Sequence, residues 1–154
     1  SKILVSVQVM DLSGKVRVIY SSNIKFSYRD CDLDNNLIFI SATFRGQNEN
    51  NVNIKTKIDN LIEKKKKDQP SQIKTCGSTF KNPQNNKAWS LIKDSGCAGM
   101  KIGDAYISEK HCNFFVNKGN AKSQDLENLI YQVKSEVLNE TGIKLELELE
   151  IIGE

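Results

Sequence analysis

Thr75-Cys76-Gly77-Ser78-Thr79-Phe80-Lys81-Asn82-Pro83 gathers a hydroxyl pair, an amine and a carboxamide between a glycine and a proline. Gly77 permits backbone angles that other residues resist, and Pro83 pushes the residue before it toward an extended conformation, so neither suits a helix interior. The stretch is expected to be a loop joining two regular segments. Loops on a rigid scaffold often present chemistry, which makes Ser78, Lys81 and Asn82 candidate ligand-facing groups. Taken alone, it also reads as a closed turn in which Ser78 and Thr79 bond their own backbone and Lys81 sits in solvent.

Upstream, Ile54, Ile58, Leu61 and Ile62 recur at helical spacing until Lys64-Lys65-Lys66-Lys67 and Asp68-Gln69-Pro70 end the pattern. This helix is expected to pack one apolar stripe on its own lobe. The lysines fall where cations complement a helix C-terminal dipole, a plainer reading than a phosphate-binding patch. Residues 47–53 are rich in Asn and Gln without periodicity and are the expected linker between two lobes. Before them, residues 37–44 are β-rich and suit a buried strand. Phe26-Ser27-Tyr28-Arg29-Asp30-Cys31 runs an aromatic pair into an arginine, in strand character. Residues 3–9 and the alternating Val16, Val18 and Tyr20 flank Asp11-Leu12-Ser13-Gly14 as a β-hairpin. The first fifty residues are therefore mostly sheet.

Downstream, Ala88, Leu91 and Ile92 mark a short helix closing near Gly96. Residues 99–103 read as loop, Ala105-Tyr106-Ile107 as a brief strand, and Phe114-Phe115-Val116 as another. Between them lies His111, the only histidine, a candidate acid or base by its titration range and equally a hydrogen-bonded structural group. Ser123 is expected to cap a helix whose face is Leu126, Leu129, Ile130, Val133 and Val137, with Gly142 at its C-terminal end. The final run alternates strictly, Ile143, Leu145, Leu147, Leu149 and Ile151 against Lys144, Glu146, Glu148 and Glu150, as a strand with one buried face. The glutamates form a solvated row or, if that face lines a cleft, supply a functional carboxylate.

A chain of 154 residues with net charge +3 suits one domain or two small lobes and gives no strong footing for a nucleic-acid partner. Cys31, Cys76, Cys97 and Cys112 are scattered without a C-x-x-C pair or a histidine cluster, so neither zinc nor a disulfide framework is expected, and reduced thiols in a cytoplasmic protein are. No apolar run approaches the ~18 residues that span a bilayer. The chain opens on Ser1, not Met, which reads as a processed or cut end.

Four separated strings then combine: Phe26-Ser27-Tyr28-Arg29-Asp30, Gly77-Ser78-Thr79-Phe80-Lys81-Asn82-Pro83, Ile107-Ser108-Glu109-Lys110-His111-Cys112-Asn113-Phe114-Phe115-Val116-Asn117, and Leu145-Glu146-Leu147-Glu148-Leu149-Glu150-Ile151-Ile152-Gly153. In order and spacing they resemble the UDP-N-acetylenolpyruvoylglucosamine reductase (MurB) family, bacterial flavoenzymes of peptidoglycan synthesis. The departures are Cys31 for a usual serine, Cys76 for a small residue, and Asp104 for a glycine after Ile102-Gly103. The glycine-rich flavin strings of the family do not occur.

The resemblance implies an α+β fold. Residues 1–50 would be the end of a flavin-binding domain, mostly strands. Residues 51–154 would be an α/β substrate-binding domain with a mixed or antiparallel sheet and packed helices. It implies an NADPH-dependent flavoprotein oxidoreductase in which NADPH reduces FAD and the flavin passes hydride to the methylene carbon of UDP-N-acetylglucosamine enolpyruvate, giving UDP-N-acetylmuramate. Charge developing on the adjacent carbon and its carboxylate calls for a fixed guanidinium, which by the family's motif is Arg29. Ser78 matches the proton donor and Glu148 the catalytic glutamate, while Lys81, Asn82 and His111 fall at or beside substrate-contacting positions. The piece is expected to hold FAD poorly and to be inactive without the flavin lobe. The alternative is a non-catalytic UDP-sugar-binding module without flavin. Neither a nucleic acid nor a membrane is an expected partner.

Overall fold

The alternation of apolar residues near the N-terminus produces what it demands, a sheet with one covered face. In the computed structural model, which describes residues 2–153, internal contacts divide the chain into Ser1–Ile54 and Lys55–Glu154. The first unit holds β1 (Leu4–Met10), β2 (Val16–Tyr20), the short β3 (Phe26–Ser27) and β4 (Asp30–Cys31), and β5 (Ile38–Phe44). Its main sheet has the order β2-β1-β5 and is antiparallel throughout. The expected hairpin is present. Asp11 Oδ1 closes it by accepting the Ser13 hydroxyl at 2.6 Å and the Ser13 and Lys15 N–H groups, each at 3.0 Å, and these bonds, the hydroxyl's first, hold its carboxyl below the ordinary range. Val7, Val9 and Ile24 form a small core flanked by Leu33 and Leu37.

Two expectations fail in this unit. β5, read as a buried strand, is exposed along its whole length, with Phe39 at 55 %. It is an edge strand, and the three-residue core is too small to cover it. The Phe26 to Cys31 stretch is not one strand but a miniature hairpin, β3 paired with β4, whose turn is Tyr28-Arg29.

The helix α1 (Asn51–Asp68) begins inside the expected linker and has no buried residue. Its stripe of Ile54, Ile58, Leu61 and Ile62 lies open, so the expected packing on its own lobe is not realised. At its C-terminal end the Lys110 ammonium donates to the Lys66 carbonyl.

The second unit is an antiparallel sheet, β6-β9-β8-β7, made of β6 (Lys74–Ser78), β7 (Lys101–Ile102), β8 (Ala105–Ile107) and β9 (Phe114–Asn117). Helices α2 (Ala88–Asp94) and α3 (Ser123–Thr141) pack with it. Leu129, Ile130, Val133 and Val137 of α3 meet Leu91 and Ile92 of α2 and Ala105, Ile107 and Phe115 of the sheet in one core. Phe80, fully buried, stands edge-on to Phe115 at 5.9 Å between ring centroids. Removing such a ring costs about 3–5 kcal/mol.

The chemistry at the ends of α3 differs from expectation by one residue. Ser123 is the first helical residue, and the Lys122 N–H is held by Asp125 Oδ2 at 2.9 Å. Gly142 ends the helix at φ 69° as expected. Residues 99–103, read as loop, include β7, which turns into β8 through Gly103-Asp104. The Asp104 carboxylate accepts the Asn120 N–H at 3.1 Å, which fastens this turn to the segment after β9. The final run is not a regular strand. Only Leu147 pairs, in an isolated antiparallel bridge with Phe80. The alternation survives as burial: Leu145 is buried, while Lys144, Glu146 and Glu150 are exposed.

Candidate active site

The segment expected to be a loop is half strand, and this is what gives Ser78 a fixed place. β6 pairs with β9 at Thr75↔Val116 and again at Ser78↔Phe114, so three steps on β6 match two on β9. The extra residue is a bulge at Cys76-Gly77, and Gly77 sits at φ +90°, a conformation that glycine adopts without strain. Bulges re-aim the side chain that follows them, and here that side chain is Ser78.

Past Ser78 the chain stays extended for three residues with both edges bonded. On one edge the Glu148 N–H donates to the Thr79 carbonyl at 2.9 Å and the Lys81 N–H donates to the Glu146 carbonyl at 2.8 Å. On the other, the Thr79 N–H donates to the Asn113 carbonyl at 2.8 Å, and the Asn113 carboxamide both accepts from the Phe80 N–H at 2.9 Å and donates to the Phe80 carbonyl at 2.8 Å. Thr79 is fully buried and its hydroxyl lacks a hydrogen-bond partner. Asn82 Oδ1 accepts the Ala88 N–H at 3.0 Å, which fastens the end of the segment to the start of α2 across a turn closed by Asn86 N–H to the Pro83 carbonyl.

The second unit thus brings Ser78, Lys81 and Asn82 together on one segment and sets Glu148 on the chain paired with it. His111 is placed differently. Its ring lies 4.8 Å from that of Phe114 and 6.3 Å from that of Trp89, with Nδ1 buried and unbonded. Burial lowers its pKa below 6.5, outweighing the opposite pull of its own backbone bond and of Asp68. The ring is therefore neutral at pH 7. Arg29 belongs to the first unit, at the β3–β4 turn, with φ 60° and its guanidinium 5.7 Å from the centre of the Tyr28 ring. A non-glycine residue held at positive φ is a conformation that clusters at functional positions.

Asn113 and Thr79 are the residues that sequence reasoning missed. The available signal was an asparagine set directly against the apolar run Phe114-Phe115-Val116. Two clefts of the second unit lie elsewhere. One of about 530 Å³ is lined by Lys101, Asp104, Tyr106, Glu109 and Lys118, and one of about 260 Å³ by Cys76, Leu126, Ile130, Leu149 and Ile152. Neither is lined by Ser78, Lys81, Asn82, His111 or Glu148, all five of which are half-buried. The four cysteines are free thiols, and burial raises the pKa of Cys97 and Cys112. No cluster of three or more metal-ligating side chains occurs among the described residues, and no helix among them is long and apolar enough to cross a membrane.

The architecture is mixed α+β, with antiparallel sheets, three helices and a bulged strand followed by a segment that pairs with a glutamate-bearing run. The model of the UDP-N-acetylenolpyruvoylglucosamine reductase C-terminal domain matches residues 69–152. The chain belongs to that family. A UDP-N-acetylenolpyruvoylglucosamine reductase of Pelagibacter ubique is 48% identical over 97% of this chain and 51% of its own length. The Beijerinckia indica protein of the same name is 42% identical over 98% of this chain and 48% of its own. The crystal structure of UDP-N-acetylenolpyruvylglucosamine reductase (MurB) from Thermus caldophilus superposes with TM-score 0.83 at 31% identity, over 96% of this chain and 52% of that one. The chain spans about half the length of the relatives it matches.

Residues 1–54 contain two separated glycines, Gly46 and the Gly14 taken up in the Asp11 turn, and so no glycine-rich loop of the kind that lets backbone approach the diphosphate of the flavin that the family implies.

Proposed function

We propose that the chain is the substrate-binding part of a cytoplasmic UDP-N-acetylenolpyruvoylglucosamine reductase, which converts UDP-N-acetylglucosamine enolpyruvate to UDP-N-acetylmuramate. FAD and NADPH belong, in this reading, to the reductase as a whole. Residues 1–50 are the end of the flavin-binding domain, and residues 51–154 are the substrate domain. The observation that carries the reading is the pairing of residues 79–81 with residues 146–148 inside the family-matched region, which sets Glu148 on the chain beside the one that bears Ser78.

This chain's residues act on proton and charge. Arg29, permanently protonated, is assigned to the substrate carboxylate, where two parallel hydrogen bonds stabilise the charge that develops during reduction. Ser78 Oγ donates the proton to the carbon beside that carboxylate. A serine hydroxyl is a weak acid, so the step needs neighbours that stabilise the alkoxide, and Lys81, on the same segment, is assigned to substrate binding. Glu148 is assigned to the substrate carboxylate region. Asn82 and the neutral His111 are assigned to substrate binding as hydrogen-bonding groups.

The test is NADPH oxidation that depends on the enolpyruvyl substrate, measured on the reductase formed with a flavin lobe. Ser78→Ala is expected to lower kcat by about 10²–10⁴-fold, the usual worth of a positioned acid. Full rate in that variant removes Ser78 from the mechanism. Calorimetric binding of the enolpyruvyl sugar without any turnover would instead favour a non-catalytic binding module.

A further inference from the structure

We propose that Asn113 is the positioning residue that holds Ser78 and Glu148 in register, an inference that rests on the roles proposed above for those two groups. β9 starts at Phe114, and just before it the chain turns back through the Phe114 N–H bond to the His111 carbonyl at 2.9 Å. The strand therefore has no residue left to pair with Phe80. Phe80 is fully buried, and its N–H and carbonyl would lose water with nothing in exchange.

The Asn113 side chain fills that place. A carboxamide carries one carbonyl and one N–H donor in a plane, as a peptide group does, and here it makes both bonds to Phe80 that a strand would make. Asn113 is only 4% exposed, so water does not compete. Its own backbone carbonyl takes the Thr79 N–H. Residues 79–81 become the centre of a three-part ladder with one side chain as an edge and residues 146–148 as the other. Ser78 enters this ladder directly from the Gly77 bulge, and Glu148 is fixed to it through the Thr79 carbonyl. The clamp thus fixes the C-terminal end of β6, where Ser78 must be aimed.

Asn113→Asp gives a test with an internal rescue. Protonated, the introduced carboxyl accepts from the Phe80 N–H and donates to the Phe80 carbonyl, as the amide does. Ionised, it has no donor and opposes that carbonyl. In the 154-residue chain, amide exchange at Phe80 and Glu148 is expected to be about tenfold faster than in the parent at about pH 8 and to match it near pH 4, with the α3 amides of Val133 and Val137 unchanged at both. In the reductase, kcat is expected to fall about 10–100-fold at the higher pH, with the deficit shrinking on acidification and the KM for NADPH unchanged. Asn113→Leu, which has neither bond at any pH, should show the exchange effect without the rescue. Parent-like exchange at Glu148 while Phe80 is deprotected overturns the proposal, as does a parent-like kcat across the pH range. If the parent itself shows no turnover, the reductase reading fails, and the exchange at Glu148 alone decides whether Asn113 governs it.

Discussion

At the scale of single residues, His111 shows how little a residue type says without its surroundings. Its titration range made it a candidate acid or base, yet burial beside Phe114 and Trp89 holds the ring neutral with Nδ1 unbonded. The folded-state pKa lies below 6.5, so between that value and 6.5 the unfolded chain binds more protons than the folded one. Stability from this group is complete above the unfolded pKa and is lost as pH falls from about 6.5 through the folded pKa. Thermal melts of the parent from pH 7 to pH 5 are therefore expected to lose more Tm than melts of His111→Gln, which has no such proton to take up. Equal losses in the two proteins would show that the ring is not desolvated. Asn113 is the opposite case. Its place against the apolar run Phe114-Phe115-Val116 marks it as a polar group headed for burial, but not that it stands in for a strand, because that role exists only where β9 has run out.

At the scale of elements, the periodic segments were legible and their ends less so. The face of α3, the hairpin of β1 and β2, and the short β8 and β9 follow from spacing alone. The sequence around 75–83 signalled a break through Gly77 and Pro83, but the bulge that keeps it in the sheet depends on the partner strand, which local sequence does not contain. The final run shows the same dependence: its alternation fixed which side chains face inward, whereas its partner, only three residues long, limited it to one bridge. The start of α3 turns this into a prediction. Ser123 has the residue type of an N-cap, but Asp125 holds the Lys122 N–H. Asp125→Ala is expected to cost about 0.5–2 kcal/mol in urea unfolding, whereas Ser123→Ala stays within about 0.5 kcal/mol. The reverse order would restore the cap to Ser123.

At the scale of the whole molecule, the two units differ in how far they satisfy their own apolar surface. The second buries a continuous core around Phe80, Ile92, Phe115 and Val133. The first has three buried core residues for a three-stranded sheet. In its register Met10 lies opposite both Val16 and Ile38, Gln8 opposite Val18, and Ser6 opposite Tyr20, so one face carries Val16, Val18, Tyr20 and Ile38, which are 47–59% exposed. Sequence reasoning expected burial of residues 37–44, Ile38 among them, because β-branched and aromatic residues favour covered strands, and that expectation is sound chemistry for a sheet with a second layer. The fifty-four residues of this unit do not supply one. Exposed apolar side chains gathered on one face, here interspersed with Gln8, Ser41 and Thr43, bind hydrophobic dyes and favour association. The chain is accordingly expected to enhance anilinonaphthalene sulfonate fluorescence and to self-associate in sedimentation velocity runs. The double variant Val18→Lys, Ile38→Lys should reduce both while changing unfolding stability by no more than about 0.5 kcal/mol per site, because neither side chain is in the core. Unchanged dye binding and sedimentation in that variant would place the adhesive surface elsewhere, with the open stripe of α1 as the next surface to substitute.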